Sequence, residues 1–228
     1  LHDFRIGEDE GVKYPPKGSY RHLGAVTQLY ARTGEGMRDL QDFKKISIVE
    51  VKGYCYGWQF YLAGDADLVV ASEEALFGHA AFRYAGWAAR MWQWAQTMGL
   101  RNFMEMVFTG RPFTAAEMKA IGFVNSVVPR EGLEAETMKY ARACAANRPA
   151  DTIVMQKTFF EVMKQHQGEY MGSVLSGWLE SMLPAVQDDS AIQVNEDLFD
   201  QGLPRAVKDN DSRFPPEWRL SYAGRKQG

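Results

Sequence analysis

The chain has 228 residues, of which 46% are apolar and 24% are charged. This composition excludes disorder of the whole chain and predicts one main core with a terminal subdomain. The net charge of −3, without any block of Lys and Arg, argues against nucleic acid or an anionic membrane surface as a partner. The two cysteines, Cys55 and Cys144, offer no disulfide framework, so we expect a cytoplasmic protein.

The first half of the chain predicts a βαβ unit. Residues 1–36 are rich in Gly, Pro and charge and predict a mobile surface segment. Residues 46–51 are largely β-branched and predict a buried strand, and residues 67–71 predict a second one. Between them we expect a turn at residues 53–57 and a short apolar helix at residues 58–64. A strand, a helix and a further strand in this order predict a parallel sheet.

The rest of the chain is predicted to be mainly helical, apart from residues 123–128. Thr114 and Glu117 have the spacing of a capping box, which predicts a helix start. Apolar residues at three and four spacing predict three or four helices over residues 132–201. Residues 214–218 are aromatic and proline-rich without helical periodicity, so we expect an extended arm there.

Residues 53–59 lie where a predicted strand ends and a predicted helix begins. At such a junction, free backbone N–H groups and the positive end of the helix dipole face whatever occupies the turn. An oxygen that carries negative charge would be stabilised there by about 3 kcal/mol per well-placed donor. Glycines in such turns also serve purely steric purposes, so this segment alone does not establish a site.

Two ordered motifs resemble those of the crotonase (enoyl-CoA hydratase/isomerase) superfamily. The first comprises residues 45–54, Leu62, Ala63, Asp67, Ala71, Ser72 and residues 75–78, and the second comprises residues 109–111, 114–118 and 122–129. The resemblance implies an α/β fold, namely a crotonase-like ββα spiral with a helical C-terminal trimerisation region. It also implies an acyl-CoA thioester as the ligand and an oxyanion hole of two backbone N–H groups that holds the thioester enolate.

The resemblance also implies how the chain is organised. Residues 1–130 would form the α/β core, and residues 131–228 would form a helical region with an extended tail. Coenzyme A would enter as part of the substrate, with no further cofactor, and the chain would assemble as a homotrimer or a dimer of trimers. Leu1 and His2 resemble the residues right after the family's first oxyanion donor, so this donor and the preceding part of the fold would be absent from this chain.

Carried over residue by residue, the family's glycine triplet falls on Gly57, Trp58 and Gln59. The N–H of Trp58 is therefore the expected second oxyanion donor, with Gly57 beside it. A backbone donor survives a change of side chain, but the indole of Trp58 would reshape the acyl pocket. Leu1 and His2 would lie on the substrate side of the same pocket.

The acid and base positions depart from the family's pattern. The two glutamates of its hydratases fall on Tyr61 and Ala81, so a paired-carboxylate mechanism is in doubt. We expect Tyr61 and His79 to be the catalytic residues, because a phenol donates a hydrogen bond and an imidazole titrates near neutral pH. Ala81, Tyr84 and Trp87 are the expected substrate-binding residues of this region.

Lys157 stands in a predicted helix, at a position where members of the family often carry a lysine. It would either meet a phosphate of coenzyme A or be a solvated helix charge. The histidines His2, His22 and His166 lack the spacing of metal ligands relative to cysteines or carboxylates, so no metal is expected.

Three functions remain open at this point. The leading one is an acyl-CoA-processing enzyme of the enoyl-CoA hydratase/isomerase type, a lyase or isomerase that works through an enolate without the usual glutamate pair. The second is hydrolysis of a C–C bond in a cyclic β-keto acyl-CoA, as some superfamily members without that pair perform. The third is a non-catalytic homologue that binds acyl-CoA or only builds an oligomer.

Overall fold

Short strands and helices alternate along the chain. The computed structural model describes residues 39–84, 86–88, 90–186 and 203–226, so the predicted surface segment at residues 1–36 lies outside it. The described strands are β1 (Ile48–Val51), β2 (Tyr54–Tyr56), β3 (Leu68–Ser72), β4 (Leu76–Gly78), β5 (Phe113–Thr114) and β6 (Ser126–Val128). The described helices are α1 (Asp39–Asp42), α2 (Trp58–Asp65), α3 (Ala81–Tyr84), α4 (Met91–Met98), α5 (Leu100–Thr109), α6 (Ala115–Ala120), α7 (Leu133–Asn147), α8 (Ala150–His166), α9 (Glu169–Val186), α10 (Leu203–Asp211) and α11 (Tyr222–Arg225).

The strands form two small sheets, with the orders β1-β3-β6 and β2-β4-β5. β1 pairs with β3 in parallel, with Ile48 opposite Leu68, and β3 pairs with β6 in parallel, with Val70 opposite Ser126. β2 and β4 are also parallel, whereas β5 runs antiparallel to β4. The chain therefore passes from one sheet to the other between β1 and β2, and again between β3 and β4. Each passage is followed by a helix, which is the ββα order that was expected.

The local sequence signals place the central elements correctly. The predicted βαβ unit is confirmed as β1, α2 and β3, with a parallel pairing of the two strands. The predicted capping box is confirmed at the start of α6. There the Thr114 hydroxyl accepts a hydrogen bond from the Glu117 amide at 3.3 Å, and the Glu117 carboxylate accepts one from the Thr114 amide at 2.7 Å. These elements rest on local chemistry that a sequence reveals directly.

The structure differs from the sequence predictions in three places. Residues 53–57 are not only a turn, because β2 lies among them and pairs with β4. The two-residue strand β5 is not predicted, since it exists through its antiparallel pairing with β4. Residues 214–218 are not an extended arm, because Pro216–Trp218 form a 3-10 turn with proline at its start.

Aromatic and methionine side chains fill the core between the sheets and helices. Phe60, Phe77, Trp94, Met106 and Met118 are all fully buried. Burial of each such side chain contributes about 1.5–3 kcal/mol relative to leaving it in water. Phe60 lies on α2, so burial of this helix along one side fixes the position of its first turn.

The C-terminal segment packs on the β2 side of the core. The Arg83 guanidinium binds the Asp211 carboxylate at 2.7 Å and lies over the Phe214 ring at 3.7 Å. The Tyr56 hydroxyl donates a hydrogen bond to the Leu220 carbonyl at 2.8 Å. Through these contacts the last described residues hold α3, which follows the candidate site described below.

Candidate functional site

Helix α2 begins directly after a glycine with a left-handed backbone. Gly57 has φ +57° and ψ −122°, a conformation that residues with a Cβ rarely adopt. Its carbonyl accepts hydrogen bonds from the amides of Phe60 at 3.0 Å and Tyr61 at 3.2 Å. Within the described part of the chain, the amides of Trp58 and Gln59 donate to no acceptor. The first turn of α2 therefore presents two backbone donors at the positive end of the helix dipole.

The side chain of Trp58 stands beside these donors. Its indole is 62% exposed, and its ring centroid lies 6.0 Å from that of Tyr61. Tyr61 is one turn further along α2 and only 8% exposed. Its ring meets the edge of the His79 ring with 5.5 Å between centroids. The structure thus brings together three of the residues expected from the sequence, namely Trp58, Tyr61 and His79.

The imidazole of His79 has a defined hydrogen bond on one side. His79 follows β4 directly, and its Nδ1 accepts a hydrogen bond from the Ala81 amide at 3.1 Å. Because Nδ1 is an acceptor, the proton of the neutral ring lies on Nε2. The ring also packs near Phe82 and Trp94, with centroid distances of 5.6 Å and 5.7 Å. This environment fits a neutral histidine that donates a hydrogen bond through Nε2.

The Trp94 side chain packs against α2 and supports the site. The sequence alone does not indicate this role. Its indole stacks on Phe60 and on Tyr61, each with 4.4 Å between ring centroids. Its Nε1 donates a hydrogen bond to the Phe60 carbonyl at 3.2 Å. Gly64 leaves room for it, since a Cβ there would lie 2.9 Å from the indole nitrogen. In the sequence, a glycine within an apolar helix is the one sign that another group packs closely against α2, but the sequence does not identify Trp94 as that group.

A buried ionic cluster behind α2 is also missed by sequence reasoning. The Asp65 carboxylate binds the Arg90 guanidinium through two contacts of 2.5 Å and 2.9 Å, and it accepts a hydrogen bond from Gln41 at 2.6 Å. Glu169 lies 3.6 Å from the same guanidinium. Burial raises the pKa of the Asp65 carboxyl, while Arg90 and Gln41 act in the opposite direction. The one sign of this cluster in the sequence is an aspartate within an apolar helix, because a charged side chain is rarely buried without a partner.

Of the other predicted substrate-binding residues, the structure describes the side chains of Ala81 and Trp87. Ala81 is the first residue of α3 and is partly buried. Trp87 is fixed by a hydrogen bond from its Nε1 to the Ser176 carbonyl in α9 at 2.9 Å. Leu1 and His2, like the side chain of Tyr84, lie outside the described residues.

Lys157 is engaged within the protein. Its ammonium donates to both oxygens of Asp67, at 2.6 Å and 2.7 Å, and the residue is 7% exposed. The alternative of a solvated helix charge is therefore wrong, because α8 packs this lysine against the loop before β3. Asp67 in turn accepts hydrogen bonds from the Ser47 amide and hydroxyl. One ammonium N–H is left for any further partner, and contact with a CoA phosphate stays a prediction.

The structure also bears on metal binding and on membrane spanning. Among the described residues, no three His, Cys, Asp or Glu side chains cluster in a way that would hold a metal ion. None of the helices that the structure describes is long and apolar enough to cross a bilayer.

Known proteins resemble this chain in sequence over most of its length. The sequence model of the family described as Enoyl-CoA hydratase/isomerase matches residues 20–175. Mevalonyl-coenzyme A hydratase sidH of Aspergillus fumigatus is 31% identical over 178 residues, which make up 76% of this chain and 60% of that protein. A Rhodococcus jostii protein named (7aS)-7a-methyl-1,5-dioxo-2,3,5,6,7,7a-hexahydro-1H-indene-carboxyl-CoA hydrolase is 31% identical over 99 residues, or 43% of this chain and 38% of that protein. The chain thus spans less than two thirds of the curated relatives that it matches.

A solved structure shows the same fold. An enoyl-CoA hydratase from Mycobacterium smegmatis superimposes with a TM-score of 0.82 over 94% of this chain and 72% of that chain, at 22% identity. At this identity the likeness concerns the fold, and it confirms the crotonase-like α/β spiral expected from the sequence. With this fold, and with a family match that covers most of the described core, the chain belongs to the enoyl-CoA hydratase/isomerase family of the crotonase superfamily.

Proposed function

We propose that the chain supplies part of the active site of an acyl-CoA-processing enzyme that stabilises a thioester enolate. The observation that carries this proposal is the amide of Trp58, which points from the first turn of α2 without an acceptor among the described residues. Negative charge develops on the thioester oxygen as the enolate forms. A fixed amide beside that oxygen lowers the barrier by about 3 kcal/mol, because it needs no reorientation during the reaction.

Tyr61 and His79 would handle protons in this site. The Tyr61 ring lies 6.0 Å from the Trp58 ring, and it contacts the His79 ring edge to face. Hydration would form a bond between a water oxygen and the β-carbon of an enoyl thioester and deliver a proton to the α-carbon. The Tyr61 hydroxyl both accepts and donates, so its oxygen would take the water proton while its own proton passes to the α-carbon, and the His79 Nε2–H would donate a hydrogen bond, in place of the two absent glutamates.

A second reaction uses the same enolate. In a cyclic β-keto acyl-CoA, water would attack the ring ketone, and the bond from that carbon to the α-carbon would break. The electron pair would move onto the α-carbon and the thioester oxygen. The proton released by the attacking water would pass through the Tyr61 hydroxyl to the α-carbon, the His79 Nε2–H would donate a hydrogen bond, and the water oxygen would remain in a new carboxylic acid. The hydrolase name of the Rhodococcus relative and the missing carboxylates at Tyr61 and Ala81 favour this alternative.

The remaining binding assignments complete the proposal. Leu1, His2, Ala81, Tyr84 and Trp87 would line the acyl site, coenzyme A would be part of the substrate, and no other cofactor or metal would be needed. Lys157 would reach a CoA phosphate only with the N–H that Asp67 leaves available. A cytoplasmic location stays a prediction.

The helical C-terminal region would provide the oligomer contacts. Large apolar side chains on α8 and α9 are about half or more exposed, among them Phe159, Phe160, Met171, Leu175 and Trp178. So much exposed apolar surface on two neighbouring helices is typical of a protein interface. This surface supports self-association, and a homotrimer or a dimer of trimers is the assembly that the family resemblance implies.

Kinetics of single variants test the proposed function. Crotonyl-CoA is a suitable first substrate, and loss of its conjugated absorbance reports hydration. We expect Tyr61→Phe and His79→Gln to lower kcat by about 100-fold with little change in KM. Tyr140→Phe is the matched control, because its hydroxyl contacts the Asn125 carbonyl on another face, and it should keep the wild-type kcat.

The outcomes separate the alternatives. Ring opening of a bicyclic β-keto thioester without crotonyl-CoA turnover would favour the hydrolase. Binding of acyl-CoA without any turnover would favour the non-catalytic homologue and contradict the proposal.

A further inference from the structure

Helices α2 and α4 are joined by two consecutive contacts. Tyr61 stacks on Trp94, and Asp65 binds Arg90. Tyr61 and Asp65 are four residues apart along α2, and Arg90 and Trp94 are four residues apart along the chain that enters α4. Tyr61 and Asp65 share one face of α2, one turn apart, and Arg90 lies immediately before α4. The ring stack and the ion pair are therefore neighbouring contacts between two antiparallel elements.

The Asp65–Arg90 ion pair is fully buried, and the backbone of Arg90 is strained. Arg90 and Asp65 have side chains that are 1% and 3% exposed. Arg90 also has φ +56° and ψ +34°, a left-handed conformation that residues with a Cβ rarely adopt. The residue adopts it immediately before α4, where its guanidinium reaches Asp65 at the end of α2.

Further polar groups fix the orientation of this pair. Glu169, at the start of α9, is fully buried, and its Oε1, which lies 3.6 Å from Arg90 Nη2, also accepts a hydrogen bond from Ser173 at 3.0 Å. Gln41 donates to Asp65 from the side of α1. The pair is thus fixed from both ends, and it couples the end of α2 to α9 as well as to α4.

We propose that Asp65 and Arg90 are positioning residues for the active site, acting through Tyr61 and the first turn of α2. This inference rests on the proposed function. Without the pair, the end of α2 would rotate relative to α4, and the Tyr61 ring would leave its stack on Trp94. Neither residue touches the expected reacting atoms, so their effect is on the placement of Tyr61 and the Trp58 amide.

Asp65→Asn is the direct test, because asparagine keeps the shape and the acceptor for Gln41 but removes the charge. We expect kcat to fall by about 10-fold to 100-fold with a much smaller change in KM, since displacement of catalytic groups of the order of 1 Å has effects of this size. We also expect the near-ultraviolet circular dichroism of the Tyr61–Trp94 pair to weaken. If Asp65→Asn does not fold, Arg90→Lys should give the same pattern, since lysine retains the charge but lacks the fork that binds both oxygens.

Glu117→Gln is the matched control, because Glu117 is also a carboxylate paired with an arginine, Arg111. Its hydrogen bonds lie at the start of α6 and involve neither α2 nor α4. We expect it to lower stability, while kcat stays within about 2-fold of wild type and the near-ultraviolet circular dichroism is unchanged. The inference is overturned if Asp65→Asn and Glu117→Gln change kcat and the spectrum equally. If the wild type has no turnover, the proposed function fails, while the spectra still decide whether the pair positions Tyr61.

Discussion

The phenol ring of Tyr61 lies on the indole of Trp94, with 4.4 Å between ring centroids and 25° between ring planes. The same indole stacks on Phe60 at 4.4 Å, so two residues of α2 rest on one side chain of α4. Because this stack holds α2, it also determines the position of the Trp58 amide at the start of the helix. Trp94 therefore connects the stability of the core to the geometry of the candidate site.

Replacement of Trp94 is expected to destabilise the fold strongly. Trp94→Phe removes a ring, leaves a cavity and deletes the hydrogen bond to the Phe60 carbonyl. We expect the free energy of unfolding to fall by about 2 kcal/mol in urea denaturation. Trp92→Phe, at a residue that is 39% exposed on the same helix, should cost less than about 1 kcal/mol. Equal losses for the two variants would contradict the role assigned to Trp94.

Gly110 is expected to tolerate no side chain. It has φ +64°, and a Cβ there would lie 2.4 Å from Cγ of Arg83, which is held in place by Asp211. Gly110→Ala should lower the free energy of unfolding by about 1–3 kcal/mol more than backbone strain alone would. Gly122→Ala measures that strain, because Gly122 has φ +85° and no atom within 4 Å of the added Cβ. Indistinguishable denaturation midpoints for the two variants would show that Arg83 moves aside freely.

Glu117 is expected to make stability depend on pH in the acidic range. Burial alone would raise the pKa of this carboxyl, but hydrogen bonds from Thr114 and the charge of Arg111 bring the pKa below its ordinary value of 4.5. The folded state therefore binds fewer protons than the unfolded state, and this contribution to stability is present above about pH 4.5 and is lost as the pH falls through the folded pKa.

A comparison of variants at two pH values measures this effect. Glu117→Gln should be less stable than wild type at pH 7, and the difference should shrink at pH 4. Gly122→Ala, which changes no titratable group, is the control and should alter stability equally at both pH values. A constant difference between wild type and Glu117→Gln across this range would contradict the assignment.

The two cysteines should react at very different rates. Burial raises the pKa of the Cys55 thiol to about 12, and the residue is 1% exposed. The thiolate is the reactive form, so Cys55 should be inert in the folded protein near pH 8. Cys144 is partly exposed on α7 and should account for the thiol titrated by Ellman's reagent. Cys144→Ala should then remove the fast reaction, and reaction at Cys55 before unfolding would be inconsistent with its burial.

The elements that could be predicted from the sequence are those specified locally. A run of β-branched residues predicts β1, and Thr114 with Glu117 predicts the start of α6. In contrast, β2 has three residues and becomes a strand only by pairing with β4, so its own sequence carries too little information. Tertiary pairing of this kind is outside the reach of local propensity.

The same distinction holds for the candidate site. Trp58, Tyr61 and His79 were found through motif positions, and the structure brings their rings together. The Asp65–Arg90 pair was not found, because its members are 25 residues apart and no local pattern links them. Buried polar networks are specified by packing in three dimensions, which a single sequence does not display.

The central claim is that the Trp58 amide stabilises a thioester enolate, and proton exchange measures this directly. Butyryl-CoA has no double bond, so exchange of its α-hydrogens for deuterium in D2O reports enolate formation by either proposed reaction. Trp58→Ala removes the indole and keeps the N–H, whereas Trp58→Pro removes both at a first helical position that accepts proline, so the two variants differ in the N–H. We predict exchange by the wild type and by Trp58→Ala, and a loss of about 100-fold in Trp58→Pro. Equal exchange by Trp58→Pro and Trp58→Ala, or no exchange by a wild type that binds butyryl-CoA, would contradict the account.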